Sequence, residues 1–201
     1  MTSLTAGDVP RGLLRRVRHV HASSYFLLEQ SLAPGLARLF AAARACGATT
    51  SLDTNWDPSG RWGGDQLRTV LASIDLLLPN EKEAKRLSGE DAVGNALPAL
   101  SAAGPTVAVK LGARGAMCMD GPQLVVIRPP SALAGEFVDA AGDCFNAGLI
   151  AGLLDGMPLR AAVGLGCATG SASTRGARGT AAAPDRAAAL ALAETVRSEL
   201  G

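Results

Sequence analysis

Between Gly135 and Gly156 the chain reads GEFVDAAGDCFNAGLIAGLLDG, and this stretch restricts the fold more than any other. It is an apolar lead-in, a tight turn Asp139-Ala140-Ala141-Gly142, and then a helix expected to open at Asp143. Phe145, Leu149 and Leu153 fall on one face of that helix at four-residue spacing. Ala147, Gly148, Ala151 and Gly152 keep much of the remainder small, so a second backbone can approach closely. A helix opening on small residues leaves its first amide N–H groups without partners at the positive end of the dipole. Such an end binds anions. Asp143 in the first turn then has two readings. As an ordinary helix start it stabilises the dipole by a few tenths of a kcal/mol. As a carboxylate beside an anion site it accepts a proton from a hydroxyl attacking a phosphoryl group.

The rest of the chain supplies alternating strands and helices. Strands are expected over residues 17–25, 48–52, 74–78 and 106–110, with a hairpin of 116–119 and 123–127 around Asp120-Gly121. Helices are expected over 36–46, 67–72, from 80 onward, 92–103 with Pro98 inside it, 159–174 and 186–200. Alternation of this kind implies a parallel or mostly parallel α/β sheet, doubly wound, with helices on both faces in three αβα layers. At 201 residues with no repeat or linker, residues 1–201 read as one α/β domain.

Composition removes several functions. With 19 basic and 18 acidic residues the charge is balanced, so no nucleic-acid or anionic-membrane partner is expected. The run Arg15, Arg16 and Arg18 reads as a solvated helix end. Cys46, Cys118, Cys144 and Cys167 are widely spaced and there are only two histidines, His19 and His21. A zinc site or a disulfide framework is therefore not expected, and reduced thiols in a cytoplasmic protein are the simplest reading. No apolar run has the length of a membrane span, and the N-terminus lacks a secretory pattern. The two histidines share a strand face and read as strand residues, because a metal site needs three or four ligands.

Polar groups follow the strands where open α/β sheets place ligands. Asp53-Thr54-Asn55-Trp56-Asp57-Pro58 leaves one strand, and as an Asx-rich turn it needs no ligand at all. Pro79-Asn80-Glu81-Lys82-Glu83 opens a helix. Asn80 and Glu83 lie about one turn apart and face the same way. Oxygen ligands of this kind suit Mg²⁺, which keeps its waters and takes few protein groups. The same residues also have the form of a capping box. Lys110-Leu111-Gly112-Ala113-Arg114-Gly115 leaves another strand as a glycine-bounded turn, which either holds a phosphate or reverses the chain.

These four motifs, in this order, resemble those of the ribokinase-like (PfkB) carbohydrate kinases. AAGDCFNAG is similar to the family signature D-T-x-G-A-G-D-x-F-x-A-G, although Asp139 abuts Ala140 directly where the family has two intervening residues. The resemblance implies an anion hole at Ala140, Ala141 and Gly142, with Asp143 as catalytic base. It places Asn80 and Glu83 near Mg²⁺ and the nucleotide phosphates, and lines the ATP site with Lys110, Gly112 and Gly115. Asp53 and Asn55 would meet the substrate, with Asp143 beside it. The loop Arg175-Gly176-Ala177-Arg178-Gly179-Thr180 is similar to one that closes the family's adenine pocket. In the family the shortened segment also shapes a monovalent-cation site, which is therefore doubtful here.

The implied activity is ATP-dependent phosphorylation of a sugar or sugar-acid hydroxyl. The implied partner is a small sugar, and a homodimer is allowed. The match begins near Val17 and lacks the family's first strands, its Gly-Gly substrate motif and its β lid. The chain is thus expected to be an N-terminally truncated, nucleotide-binding C-terminal portion. The alternative is a fragment that binds nucleotide without turnover. A Rossmann dehydrogenase is disfavoured, since no G-x-G-x-x-G follows a strand.

Overall fold

Short apolar runs such as Leu76-Leu77-Leu78, buried on every side, pair as parallel strands when each is followed by a helix. The computed structural model describes residues 4–129, 135–136, 138–177 and 179–200. These form two compact units, Met1–Ala108 and Val109–Gly201.

The first unit begins with α1 (Arg11–Leu14) and β1 (His19–Ala22). A 3₁₀ turn at Tyr25–Leu28 follows, so the strand expected over 17–25 is shorter. In α2 (Ala33–Ala45) Leu36, Phe40 and Ala43 recur at helical spacing and are buried. Gly47, with φ of +85°, lets the chain leave that helix. β2 (Thr49–Leu52), α3 (Asp65–Leu71), β3 (Leu76–Leu77), α4 (Glu81–Ser88), α5 (Val93–Ser101) and β4 (Thr106–Lys110) complete the alternation. β1 pairs with β2, β2 with β3 and β3 with β4, all parallel. Their C-terminal ends therefore share one edge, where Ser24, Asp53 and Asn80 follow β1, β2 and β3.

β4 crosses the unit boundary, and Val109 and Lys110 belong to the second unit. There β5 (Ala116–Asp120) and β6 (Gln123–Arg128) form the expected hairpin. Its two-residue loop starts at Gly121, whose φ of +60° suits a primed turn. α6 (Ala141–Leu154) and α7 (Leu159–Ser173) pack side by side, and α7 also lies on β5 and β6. α8 (Arg186–Ala193) packs on α7.

Two expectations are corrected. The last helix does not run over 186–200, because it ends at Ala193 and Arg197–Leu200 forms β7 against β6. Pairing from Val125 with Leu200 to Arg128 with Arg197 outweighs the local helical preference. The signature helix opens at Ala141, not Asp143, because the chain already reverses at Ala140. Phe137 of the lead-in and Arg178 of the loop after α7 lie outside the described residues. No helix of the described residues is long and apolar enough to cross a membrane.

Candidate functional site

Ala140 sets the site. It holds φ of +62° without being glycine, a conformation that strains a residue carrying a Cβ. As N-cap of α6 it offers no side-chain bond to the first turn. The Ala141 amide turns back to the Val138 carbonyl at 3.2 Å, which takes it out of the anion hole expected at Ala140 to Gly142. The amides of Gly142 and Asp143 follow in the first turn, which no side chain of the N-cap residue bonds, at the positive end of a 14-residue helix. Asp143 is the third residue of α6 and is exposed.

Lys110, at the end of β4, reaches this turn. A Cβ built on Gly142 would lie 3.7 Å from Lys110 Nζ, and Nζ donates to Asn146 Oδ1 at 3.4 Å. Asn146 is 2% exposed, so its amide is a fixed acceptor.

Beside α6 lies a cavity of about 290 Å³, near the lower end of the range for ligand pockets. Asp143 and Ala147 line it from α6, Thr169 from α7, Thr180 and Pro184 from the segment beyond, and Leu190 from α8. Arg186 and Asp155, also in the lining, pair at 2.6 Å. The wall is apolar apart from these groups. Thr180 belongs to the loop expected to close such a pocket.

The two turn glycines have different reasons to be glycine. Gly112 has φ of +63° and open space where a Cβ would be. At Gly115 a Cβ would fall 1.9 Å from the Ile127 carbonyl oxygen. Gly115 is thus required by the approach of the turn to β6, whatever it binds.

In the first unit, Asp53 is 7% exposed and accepts from the Asn55 amide at 3.2 Å. Asn55 stands at φ of +58° and donates to Ser24 Oγ at 3.4 Å. Asp57 accepts from the Trp62 amide at 2.7 Å and from Ser59. Burial pushes its carboxyl up, but the bonds from Trp62, Ser59 and Arg61 prevail and hold it below the usual range. Asn80 and Glu83 form the reciprocal capping box. Asn80 Oδ1 accepts from the Glu83 amide at 3.0 Å, and Glu83 Oε2 accepts from the Asn80 amide at 2.9 Å. Asn80 Nδ2 donates to the other carboxylate oxygen at 2.5 Å. Among the described residues no group of three or more His, Cys, Asp or Glu could hold a metal ion. Mg²⁺ that keeps its waters fits one buried carboxylate better than a full protein cage.

Sequence reasoning missed Asn146, the Arg186–Asp155 pair and the contribution of α8. For Asn146 a signal existed: a polar residue on the buried face of an otherwise small and apolar helix.

The sequence model of the pfkB family carbohydrate kinases matches residues 3–186. The chain is 34% identical to the 1-phosphofructokinase of Rhodobacter capsulatus over 177 residues, covering 83% of this chain and 52% of that protein. It is 28% identical to ATP-dependent 6-phosphofructokinase isozyme 2 of Escherichia coli over 181 residues, covering 83% and 56%. The structure of Arabidopsis thaliana ribokinase complexed with ribose and ATP superposes with a TM-score of 0.73 at 23% identity, covering 96% of this chain and 61% of that one. This likeness shows a ribokinase-like fold. The chain spans about half the length, or less, of the curated relatives it matches. With the ordered motifs and the match over most of its length, the chain belongs to the pfkB family of carbohydrate kinases.

Proposed function

We propose that this chain carries the nucleotide-binding and proton-accepting parts of a kinase that transfers the γ-phosphoryl group of ATP to a hydroxyl of a sugar or sugar acid. One observation carries the reading. Asp143 is exposed in the first turn of α6, lines a cavity, and adjoins helix-start amides that no side chain caps. In this reading the Asp143 carboxylate takes the proton of the attacking hydroxyl. The Gly142 and Asp143 amides offset negative charge on the transferring group at no cost in reorganisation. The small apolar wall of α6, α7 and α8 holds the base. Asp53 and Asn55 orient the sugar, and Asn80 and Glu83 hold Mg²⁺ through its waters. ATP supplies the transferred group and Mg²⁺ neutralises part of its charge.

A second reading is nucleotide binding without turnover. Calorimetry with MgATP, run beside a sugar-dependent ADP-release assay over a panel of ketoses, pentoses, sugar acids and nucleosides, separates the two. Wild type and Asp143→Asn should both bind ATP, with ADP release falling by about 10²–10⁴-fold in the variant. Undiminished release in the variant overturns the role of Asp143. Binding with no release by the wild type supports the second reading.

A further inference from the structure

The chain has four Phe, two Trp and one Tyr, and both Trp, the Tyr and one Phe form a single edge-to-face run. Tyr25 meets Phe26 at 5.2 Å between ring centroids, Phe26 meets Trp62 at 5.5 Å, and Trp62 meets Trp56 at 4.7 Å. The run starts in the core and ends in solvent: Tyr25, Phe26 and Trp62 are buried, whereas Trp56 is 50% exposed. The exposed ring is nonetheless held. Asn55 turns the chain at φ of +58°, and its Oδ1 accepts from the Trp56 amide at 2.7 Å. Asn55 Nδ2 ties this turn to Ser24 after β1. Trp62, packed against Trp56, is itself fixed by the bond from its amide to Asp57. A single apolar side chain on a surface is ordinary. One fastened by its backbone and by a second ring, beside the two residues assigned to the sugar, is organised before any ligand arrives.

Resting on the kinase reading above, we propose that Trp56 is the floor on which the acceptor lies, and that the acceptor is a sugar in its ring form, with one C–H face against the indole. The negative face of an aromatic ring attracts polarised C–H bonds. The sugar hydroxyls then point toward Asp53 and toward Asn55, whose amide group has a second N–H and a second lone pair to offer. An open-chain sugar acid has no flat C–H face to stack, and it would bring its carboxylate toward that of Asp53.

The test uses the full chain, whose two tryptophans make fluorescence specific. Half-exposed Trp56 is open to quenching by acrylamide and buried Trp62 is not. Bound D-fructose or D-ribose should lower the quenching on the order of twofold or more, and D-gluconate and cytidine should leave it unchanged. In calorimetry Trp56→Ala should weaken the ring sugar by about tenfold or more and Trp56→Phe should recover part of the loss, with MgATP affinity unchanged in both. Tyr25→Phe removes, from the other end of the run, a buried hydroxyl that has no hydrogen-bond partner among the described residues. It should leave sugar affinity unchanged, which separates the floor from packing within the cluster. Ring sugars that bind without protecting Trp56, or that bind Trp56→Ala within about threefold of wild type, overturn the proposal. Equal protection by D-gluconate, or protection by cytidine alone, overturns it as well. Wild-type chain that binds MgATP but neither ring sugar overturns it and leaves the nucleotide part of the kinase reading standing, and chain that binds none of them overturns both. Should Trp56→Ala fail to fold, quenching of the wild type decides.

Discussion

His19 has both ring nitrogens engaged, which makes its charge state a property of the fold. Nδ1 lies 2.7 Å from Thr49 Oγ1, and Nε2 lies 2.7 Å from Ser51 Oγ, which is also 2.7 Å from His21 Nδ1. Thr49 Oγ1 donates to the Arg18 carbonyl at 3.3 Å, so it accepts from His19. Counting protons along the chain then assigns His19 Nε2 as acceptor of the Ser51 hydroxyl. A proton on Nε2 would reverse that bond, so that Ser51 Oγ accepts from His19 and its hydroxyl turns to His21 Nδ1. Burial, then the neighbouring His21, lower the His19 pKa from 6.5 to about 4, against the opposing pull of Asp75, which itself pairs with Arg44. Between these values the unfolded chain binds the proton more readily than the folded one. Stability should therefore fall as pH drops from about 6.5 toward about 4 and lose nothing further from this group below that. Urea midpoints from pH 7.5 to 4.5 check it: His19→Gln, which keeps a donor and an acceptor, should flatten the slope, and equal slopes would refute the assignment. The sequence showed that the two histidines share a strand face. That they meet through Ser51 depends on the β1–β2 register, which no local pattern specifies.

At the scale of elements, the α6–α7 pair is the part of the fold that glycine makes possible. A Cβ on Gly148 would fall 2.6 Å from Thr169 Oγ1, one on Gly166 would fall 2.9 Å from the Phe145 carbonyl, and one on Gly170 would fall 2.9 Å from the Ala141 carbonyl. Each is closer than packed atoms approach, so the helices touch backbone to backbone. Gly170→Ala should cost about 1–3 kcal/mol of stability. Because it presses on the first turn of α6, it should also weaken ATP binding. Gly164→Ala on the same helix is the control, since its Cβ would meet only Val196 at 3.8 Å. That substitution should be neutral or stabilising by about 1 kcal/mol, as helix propensity predicts. Thermal unfolding and ATP titration of both variants check the contrast, and equal loss in the two would remove the argument. The close approach was legible in the sequence from one side, as the small residues Ala147, Gly148, Ala151 and Gly152 of α6. The C-terminal strand was not, because Arg197–Leu200 carries no strand pattern of its own. It is held by its pairing with β6, by Arg128 with Glu199 at 3.1 Å and by Arg160 with Ser198.

Across the whole molecule the assigned roles divide between the two units. Lys110, Asp143, Asn146 and the cavity belong to Val109–Gly201, and Asp53, Asn55, Asn80 and Glu83 to Met1–Ala108. The order of the motifs along the chain was legible because each follows a strand. The division was not, since no linker or change in composition marks residue 108, and the boundary falls inside β4. Core substitutions in each unit turn this division into a measurement. Phe40 and Leu149 are both fully buried, the first in α2 and the second in α6. Phe40→Ala should cost about 3–5 kcal/mol and Leu149→Ala about 2–5 kcal/mol, similar penalties for cavities of similar kind. Their effects on ADP affinity, measured without added magnesium at a temperature where both variants remain folded, should differ. Leu149 lies on the helix whose start would bind the phosphates, so its cavity should loosen that turn and weaken ADP by about tenfold, the effect of a shift worth about 1.4 kcal/mol. Phe40→Ala should leave ADP affinity within about twofold, because the groups of its unit placed near the nucleotide, Asn80 and Glu83, act there through Mg²⁺, which this measurement leaves out. Calorimetry of the two variants, with urea unfolding to confirm comparable destabilisation, decides the matter. A loss of ADP affinity in Phe40→Ala as large as in Leu149→Ala would mean that the nucleotide site draws on the first unit as much as on the second.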